Sequence, residues 1–323
     1  MFGCSRQVYY RRINKESQLQ EKSQAAISMV QKVRHVLPRV GTRKLYHMLN
    51  EPLRAIGVGR DTLFAIMRAN HLDIKPKRQY RTTTNSHHRF RKHKNLIESL
   101  EIKTPEQVWV SDITYIGSRA NPMYLSLITD AYSKKIMGYD VSDSLAVDGS
   151  IRALKMAIKS RQYKHRSLIH HSDRGLQYCS NEYQSALAKN KITPSMTESY
   201  DPYANAVAER INGILKDEFM IEQYDLDKST MQLYVKDCIE RYNKVRPHYS
   251  CHMLTPDRMH RQDKIQMRTY KKSVSLKASL QTYGFFICPH LYLILPVHSI
   301  RCKHMTRVMG PYFIVSFDTV FYV

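Results

Sequence analysis

Three carboxylates stand where an acidic side chain needs a reason. Asp112 interrupts the apolar run Trp109-Val-Ser-Asp112-Ile-Thr-Tyr115, and a charge there is costly to bury unless it is paired or binds a cation. Asp173 closes the short run His170-His-Ser-Asp173, two residues before Gly175, which permits a sharp turn. Glu209 falls in Asn205-Ala-Val-Ala-Glu209-Arg-Ile-Asn-Gly213, a stretch that reads as helix. Sixty residues separate Asp112 from Asp173, and 35 separate Asp173 from Glu209. Oxygen ligands from separate elements suit Mg²⁺ or Mn²⁺, which accept carboxylates and keep waters for a substrate. Singly, each residue also fits a structural role: Asp112 paired with a lysine, Asp173 shaping a turn, Glu209 on a solvated helix face. No recognisable Ser-His-Asp or Cys-His arrangement offers a covalent nucleophile.

The elements that must position these carboxylates follow from the apolar pattern. Val, Ile and Tyr crowd Gln107–Ile116, and two more apolar runs, Met123–Ala131 and Lys135–Val141, follow after polar breaks. Three consecutive strands are predicted. A helix is expected over Val147–Lys159, a strand over Ser167–His171, a helix over Asn181–Asn190 and a fifth strand over Ile192–Met196. Two further helices are expected, at about Ala204–Glu218 and Lys228–Asn243. Strands in succession, then strand–helix alternation, give an α/β fold with a mixed sheet flanked by helices.

The charge is segregated. Lys and Arg number 51 against 28 Asp and Glu, a net charge of +23. Residues 1–95 hold 21 of the basic residues and only 5 of the acidic ones, whereas residues 96–269 are almost neutral. A polyanionic partner, nucleic acid first, is the expectation, gripped by the N-terminal part. That part reads as helices over residues 16–37, Thr42–Leu49 and Asp61–Arg68, the last two joined by a turn around Gly57 in a helix-turn-helix-like arrangement. Arg43, Lys44, Arg60 and Arg68 decorate it; a small helical bundle with a solvated basic face is the alternative. From Lys75 to Lys94, basic residues including Lys77 and Arg78 sit among Thr, Asn, Ser and His, as a linker laid along DNA would require.

Six scattered cysteines without a Cys-x-x-Cys pair, and no signal-peptide pattern, point to a reduced cytosolic chain. The Cys and His residues between Cys288 and His304 match no zinc spacing. The apolar run Phe285–Val297 is too short and too interrupted to span a membrane.

The order and spacing of Asp112, Asp173 and Glu209 resemble the DDE core of retroviral integrases and bacterial transposases. Flanking words narrow the resemblance: His171-Ser-Asp173-Arg-Gly175-x-Gln177-Tyr178, Asn205-Ala-x-Ala-Glu209, Lys216 seven residues beyond, Tyr242-Asn243-x-x-Arg246-Pro247-His248, and Thr255-Pro256. With Pro38-Arg39-x-Gly41-Thr-Arg-Lys-Leu-Tyr46, these look like the insertion-sequence transposases encoded in a second reading frame, over about residues 5 to 262.

The resemblance implies an RNase H-like integrase core, a mixed five-stranded sheet flanked by helices, behind a small all-α basic domain. It implies residues 1–75 as the basic helical region, 76–104 as linker and 105–262 as catalytic core; residues 263–323 depart from the family as an atypical tail, read as translation out of the ancestral frame in preference to an acquired segment. It implies metal-dependent cleavage and strand transfer of DNA, with two Mg²⁺ or Mn²⁺ ions held by Asp112, Asp173 and Glu209. Lys216 would contact DNA near the scissile phosphate, and Asn205, Arg210 and His171 would support the site. Asp130 would lie just outside the ligands, and the Tyr200–Tyr203 stretch could close on DNA. Implied partners are transposon ends and target DNA, further copies of the chain in a synaptic complex, and the product of an upstream frame. The bacterial cytosol and its nucleoid are the implied location. A transposase-derived DNA-binding protein, or a degenerate inactive copy, is the competing reading.

Overall fold

The computed structural model describes residues 6–74, 93–98, 100–118, 121–197, 206–262 and 265. Lys75, Lys77, Arg78, Asn205, Tyr200–Tyr203 and the tail cysteines and histidines lie outside the described residues.

Five strands build one sheet: β1 (Val108–Ile116), β2 (Met123–Asp130), β3 (Ile136–Ser142), β4 (Leu168–Ser172) and β5 (Ile192–Met196), in the order β3-β2-β1-β4-β5. β1, β2 and β3 pair antiparallel; β4 and β5 extend the sheet in parallel beyond β1. This is the mixed five-stranded sheet expected from the sequence. The strands read as nearly continuous apolar runs because helices cover both faces. On one face, Trp109 and Ile113 of β1 pack with Ala153, Leu154 and Ala157 of α5 (Val147–Lys159), Tyr178 and Cys179 of α6 (Leu176–Cys179), and Tyr183 and Leu187 of α7 (Asn181–Lys189). Gly138 of β3 lets α5 approach, since a Cβ there would stand 2.2 Å from the Ala153 carbonyl oxygen. On the other face, Val108 and Val110 meet Ala208 of α8 (Ala206–Glu218). Side chains alternate along a strand, so Asp112 belongs to the α8 face.

Helices α1 (Arg6–Val36), α2 (Thr42–Met48), α3 (Asn50–Ala55) and α4 (Arg60–Ala69) form the basic N-terminal part. Their buried residues, among them Val30, Leu45, Leu53, Leu63 and Met67, belong to one apolar cluster with Leu125 and Leu127 of β2, Ile211 and Leu215 of α8, and Val235 and Tyr242 of α9 (Lys228–Lys244). The structure departs from the sequence expectation in two places here. α1 begins ten residues earlier than residue 16, because Arg6–Lys15 is a polar helical stretch without a buried face. α3 occupies what reads as a turn; its Pro52 falls in the first helical turn, where a missing N–H costs little. Among the described residues, a 3₁₀ turn, Tyr249–Cys251, and α10 (Pro256–His260), capped by the Thr255 side chain, follow α9. No helix among the described residues is long and apolar enough to cross a membrane.

Candidate active site

The parallel pairing of β1 with β4 sets the first two carboxylates side by side. Val110 faces His171 and Ser111 faces Ser172 in that register, so Asp112 and Asp173 are the next pair along. Neighbouring strands lie about 4.8 Å apart, which forces two acidic side chains together at the end of β4. Both are half-buried. They line one cleft with Ile113, Leu145, Gly175, Gln177 and Tyr178. Asp173 is held by its own turn: its Oδ1 accepts from the Gly175 N–H at 3.0 Å. A Cβ on Gly175 would stand 2.9 Å from that oxygen, so a side chain there would push the Asp173 carboxylate aside.

The third carboxylate comes across the sheet on α8. Glu209 is exposed in the first turn of that helix. Asn212, one turn further along, donates from Nδ2 to Asp112 Oδ2 at 2.6 Å. Its Oδ1 is buried without a hydrogen-bond partner. Sequence reasoning passed over Asn212; the signal was its position three residues after Glu209, on the same helical face.

Burial pushes the Asp112 carboxyl up to about 7, and the neighbouring Asp173 adds to this; Asn212 and the Ile113 N–H oppose it, while Glu209 raises it further. Three acceptor-only groups therefore repel one another around Asp112, and a hard divalent cation would cancel that repulsion. The donors fit such an ion in kind. Among the described residues, no three His, Cys, Asp or Glu side chains are already gathered tightly enough to hold one.

The other sequence-marked residues fall into distinct surroundings. His171 is fully buried in β4 with Nδ1 at 2.9 Å from Ser195 Oγ. Asp130 is fully buried and accepts from the Glu106 and Ser133 amides at 2.7 and 2.8 Å. Lys216 lies two turns beyond Glu209 and pairs with Glu222 at 2.5 Å. Arg210 is exposed. Arg43, Arg60 and Arg68 converge with Asp61, Phe64 and Ala65 on one open hollow of about 460 Å³. Lys44 turns away into a mostly covered ion pair with Glu218 at 2.7 Å.

Models of the integrase core domain match residues 103–202 and 190–256. The insertion element IS600 uncharacterized 31 kDa protein of Shigella sonnei is 34% identical over 260 residues, covering 79% of this chain and 94% of that protein. A putative transposase for insertion sequence element IS986/IS6110 of Mycobacterium tuberculosis is 31% identical over 222 residues, 66% of this chain and 78% of the relative. The chain belongs to the insertion-sequence transposases with an integrase core. Transposase InsF for insertion sequence IS3A of Escherichia coli, 31% identical over 213 residues, covers 65% of this chain and 74% of its own. The integrase-core matches enclose all three carboxylates of this transposase, together with Asn212 and Lys216.

Proposed function

We propose that this transposase cleaves DNA at the ends of its insertion sequence and joins them to target DNA, with Asp112, Asp173 and Glu209 holding two divalent ions, Mg²⁺ or Mn²⁺. The observation that carries this reading is the placing of Asp112 beside Asp173 by strand register, with Glu209 on the helix that Asn212 fastens to Asp112. When bound, such ions activate the attacking oxygen and stabilise the leaving 3′ oxygen of the phosphodiester. Asp112, which feels the charge of both Asp173 and Glu209, would be shared by the two ions, and Asp173 and Glu209 would each hold one. Asn212 favours the ionised form of the Asp112 carboxylate, against burial and Asp173, and aims it by donating to it. The nucleophile is water or a DNA 3′-OH, so no protein group needs to be consumed.

The basic side chains act by position and charge. Arg210, exposed beside Glu209 on α8, would meet the phosphates around the scissile bond, and Lys216 would join it by exchanging its Glu222 partner for a phosphate. Arg43, Arg60 and Arg68 would grip the duplex further out, and Lys75, Lys77 and Arg78 continue that basic tract in the sequence. Holding two DNA ends together calls for at least two copies of the chain, on DNA in the bacterial cytosol.

The test is cleavage and strand transfer of labelled DNA bearing the element's ends, with Mg²⁺ or Mn²⁺, beside an Asp173→Asn protein. Activity lost in the variant with DNA binding retained supports the reading. Salt-sensitive binding with equal and metal-independent activity in both proteins would remove the carboxylates from the mechanism.

A further inference from the structure

Helix α8 carries Glu209 at one end and Glu218 at the other, and the far end is fastened to the N-terminal helices. Lys44 Nζ of α2 donates to Glu218 Oε1 at 2.7 Å, each side chain being 17% exposed. Arg246, from the segment after α9, donates to the same carboxylate twice, from Nε and Nη2, both at 2.7 Å. The Arg39 N–H reaches the Glu218 carbonyl oxygen at 3.2 Å. The Arg43 guanidinium lies 5.7 Å from the Tyr249 ring centre, close behind Arg246 in the chain. Arg43 also lines the basic hollow with Arg60 and Arg68. One turn of α2 therefore faces the hollow with Arg43 and the end of α8 with Lys44.

We propose that Lys44 is a positioning residue that couples the basic N-terminal hollow to α8 through Glu218, and so sets where Glu209 stands relative to bound DNA. The inference rests on the reading of Glu209 as catalytic. An ammonium saturated by a covered carboxylate is poorly placed to neutralise a phosphate; its partner's location defines its effect. A bidentate Arg246–Glu218 fork fixes the carboxylate first. Lys44 then ties that fork to α2, beside the apolar packing of Leu45 against α8, and a shift of about 1 Å at Glu209 is enough to cost on the order of 100-fold in rate.

Glu218 and Arg210 of α8, together with Arg246 and His248 beyond α9, are the charged or titratable groups around Lys44. Burial, and then Arg246, brings the Lys44 ammonium down to about 8, against the pull of Glu218. Loss of its proton breaks the link, so the cleavage rate should fall as pH rises through about 8.

The experiment compares Lys44→Met, Lys44→Arg and Arg43→Gln on labelled end DNA. Lys44→Met is expected to keep the wild-type affinity and salt slope while cleavage at saturating DNA drops about 10- to 100-fold. Lys44→Arg should recover most of the rate and move the alkaline limb to higher pH, since a guanidinium keeps its proton. Arg43→Gln should do the reverse of Lys44→Met: weaker binding and a salt slope shallower by about one. Hydrogen exchange over residues 206–218 should quicken in Lys44→Met while β1 and β4 stay protected. A shallower salt slope with an unchanged saturated rate in Lys44→Met would make Lys44 a DNA contact and overturn the proposal. If Lys44→Met fails to fold, an unshifted pH profile in Lys44→Arg overturns it instead. A wild-type protein without cleavage would sink the catalytic reading, and hydrogen exchange over α8 would then decide the coupling: faster supports it, unchanged overturns it.

Discussion

Replacing Asp112 by Asn should make the metal-free protein more stable at neutral pH while abolishing cleavage. The carboxyl is pushed up to about 7 by burial and by Asp173, from an ordinary value near 4 in the unfolded chain. A carboxyl raised on folding binds its proton more tightly in the native state, so stability is lost as pH rises from about 4 to 7. About three pH units at 1.36 kcal/mol each is about 4 kcal/mol, and the partial solvent access of Asp112 lowers the expectation to about 2–4 kcal/mol. A neutral Asn escapes that penalty and can still accept from Asn212. Urea unfolding in chelator can be followed through Trp109, the chain's one tryptophan, buried three residues earlier in β1. The variant should gain about 2–4 kcal/mol at pH 8 and less than about 1 at pH 4. Adding Mg²⁺ should stabilise wild type and leave the variant unmoved, because only the former binds the ion. Equal or lower stability of the variant at pH 8, or a gain that persists undiminished at pH 4, would refute a carboxyl raised by burial and by Asp173.

Gly175→Ala should lower cleavage about 100-fold with small effect on DNA affinity, since the added Cβ displaces the Asp173 carboxylate; single-turnover rates at saturating DNA check this. Asn212→Ala should also cut the rate, and should raise the pH needed for half-maximal cleavage, because the donor that favours the ionised Asp112 is gone. Glu106 is fully buried; burial acts against its charge, but His260, the Gln162 N–H and Arg161 hold the carboxyl down at about 2. Its contribution, about 3 kcal/mol, should be complete above pH 4.5 and lost as pH falls toward 2, which acid titrations of wild type and Glu106→Gln will compare. His260 lies between Glu106 and Asp130, at 3.4 and 3.6 Å; burial opposes its charge, yet those carboxylates raise its affinity for a proton. Stability from His260 should therefore be full below pH 6.5 and fade as pH rises beyond, so His260→Gln should destabilise more at pH 6 than at pH 9.

The sequence by itself determined the strands and most helices, because apolar period and turn residues are local properties. β5 runs Ile192–Met196 and α5 runs Val147–Lys159, as the pattern reads. It also singled out Asp112, Asp173 and Glu209, since an acidic residue within or ending an apolar strand is visible without coordinates. Arg6–Lys15 and α3 were not legible, because their helicity has no continuous buried face to announce it. The site's working details belong to the tertiary structure alone. That Asp112 stands beside Asp173 follows from a parallel register between strands whose cores lie some 60 residues apart. That Lys44 faces Glu218 rather than the hollow occupied by Arg43 depends on how α2 seats against α8. Both depend on contacts between distant segments, and a basic or acidic residue looks the same in sequence whether its partner is a phosphate, an ion or a carboxylate 174 positions away.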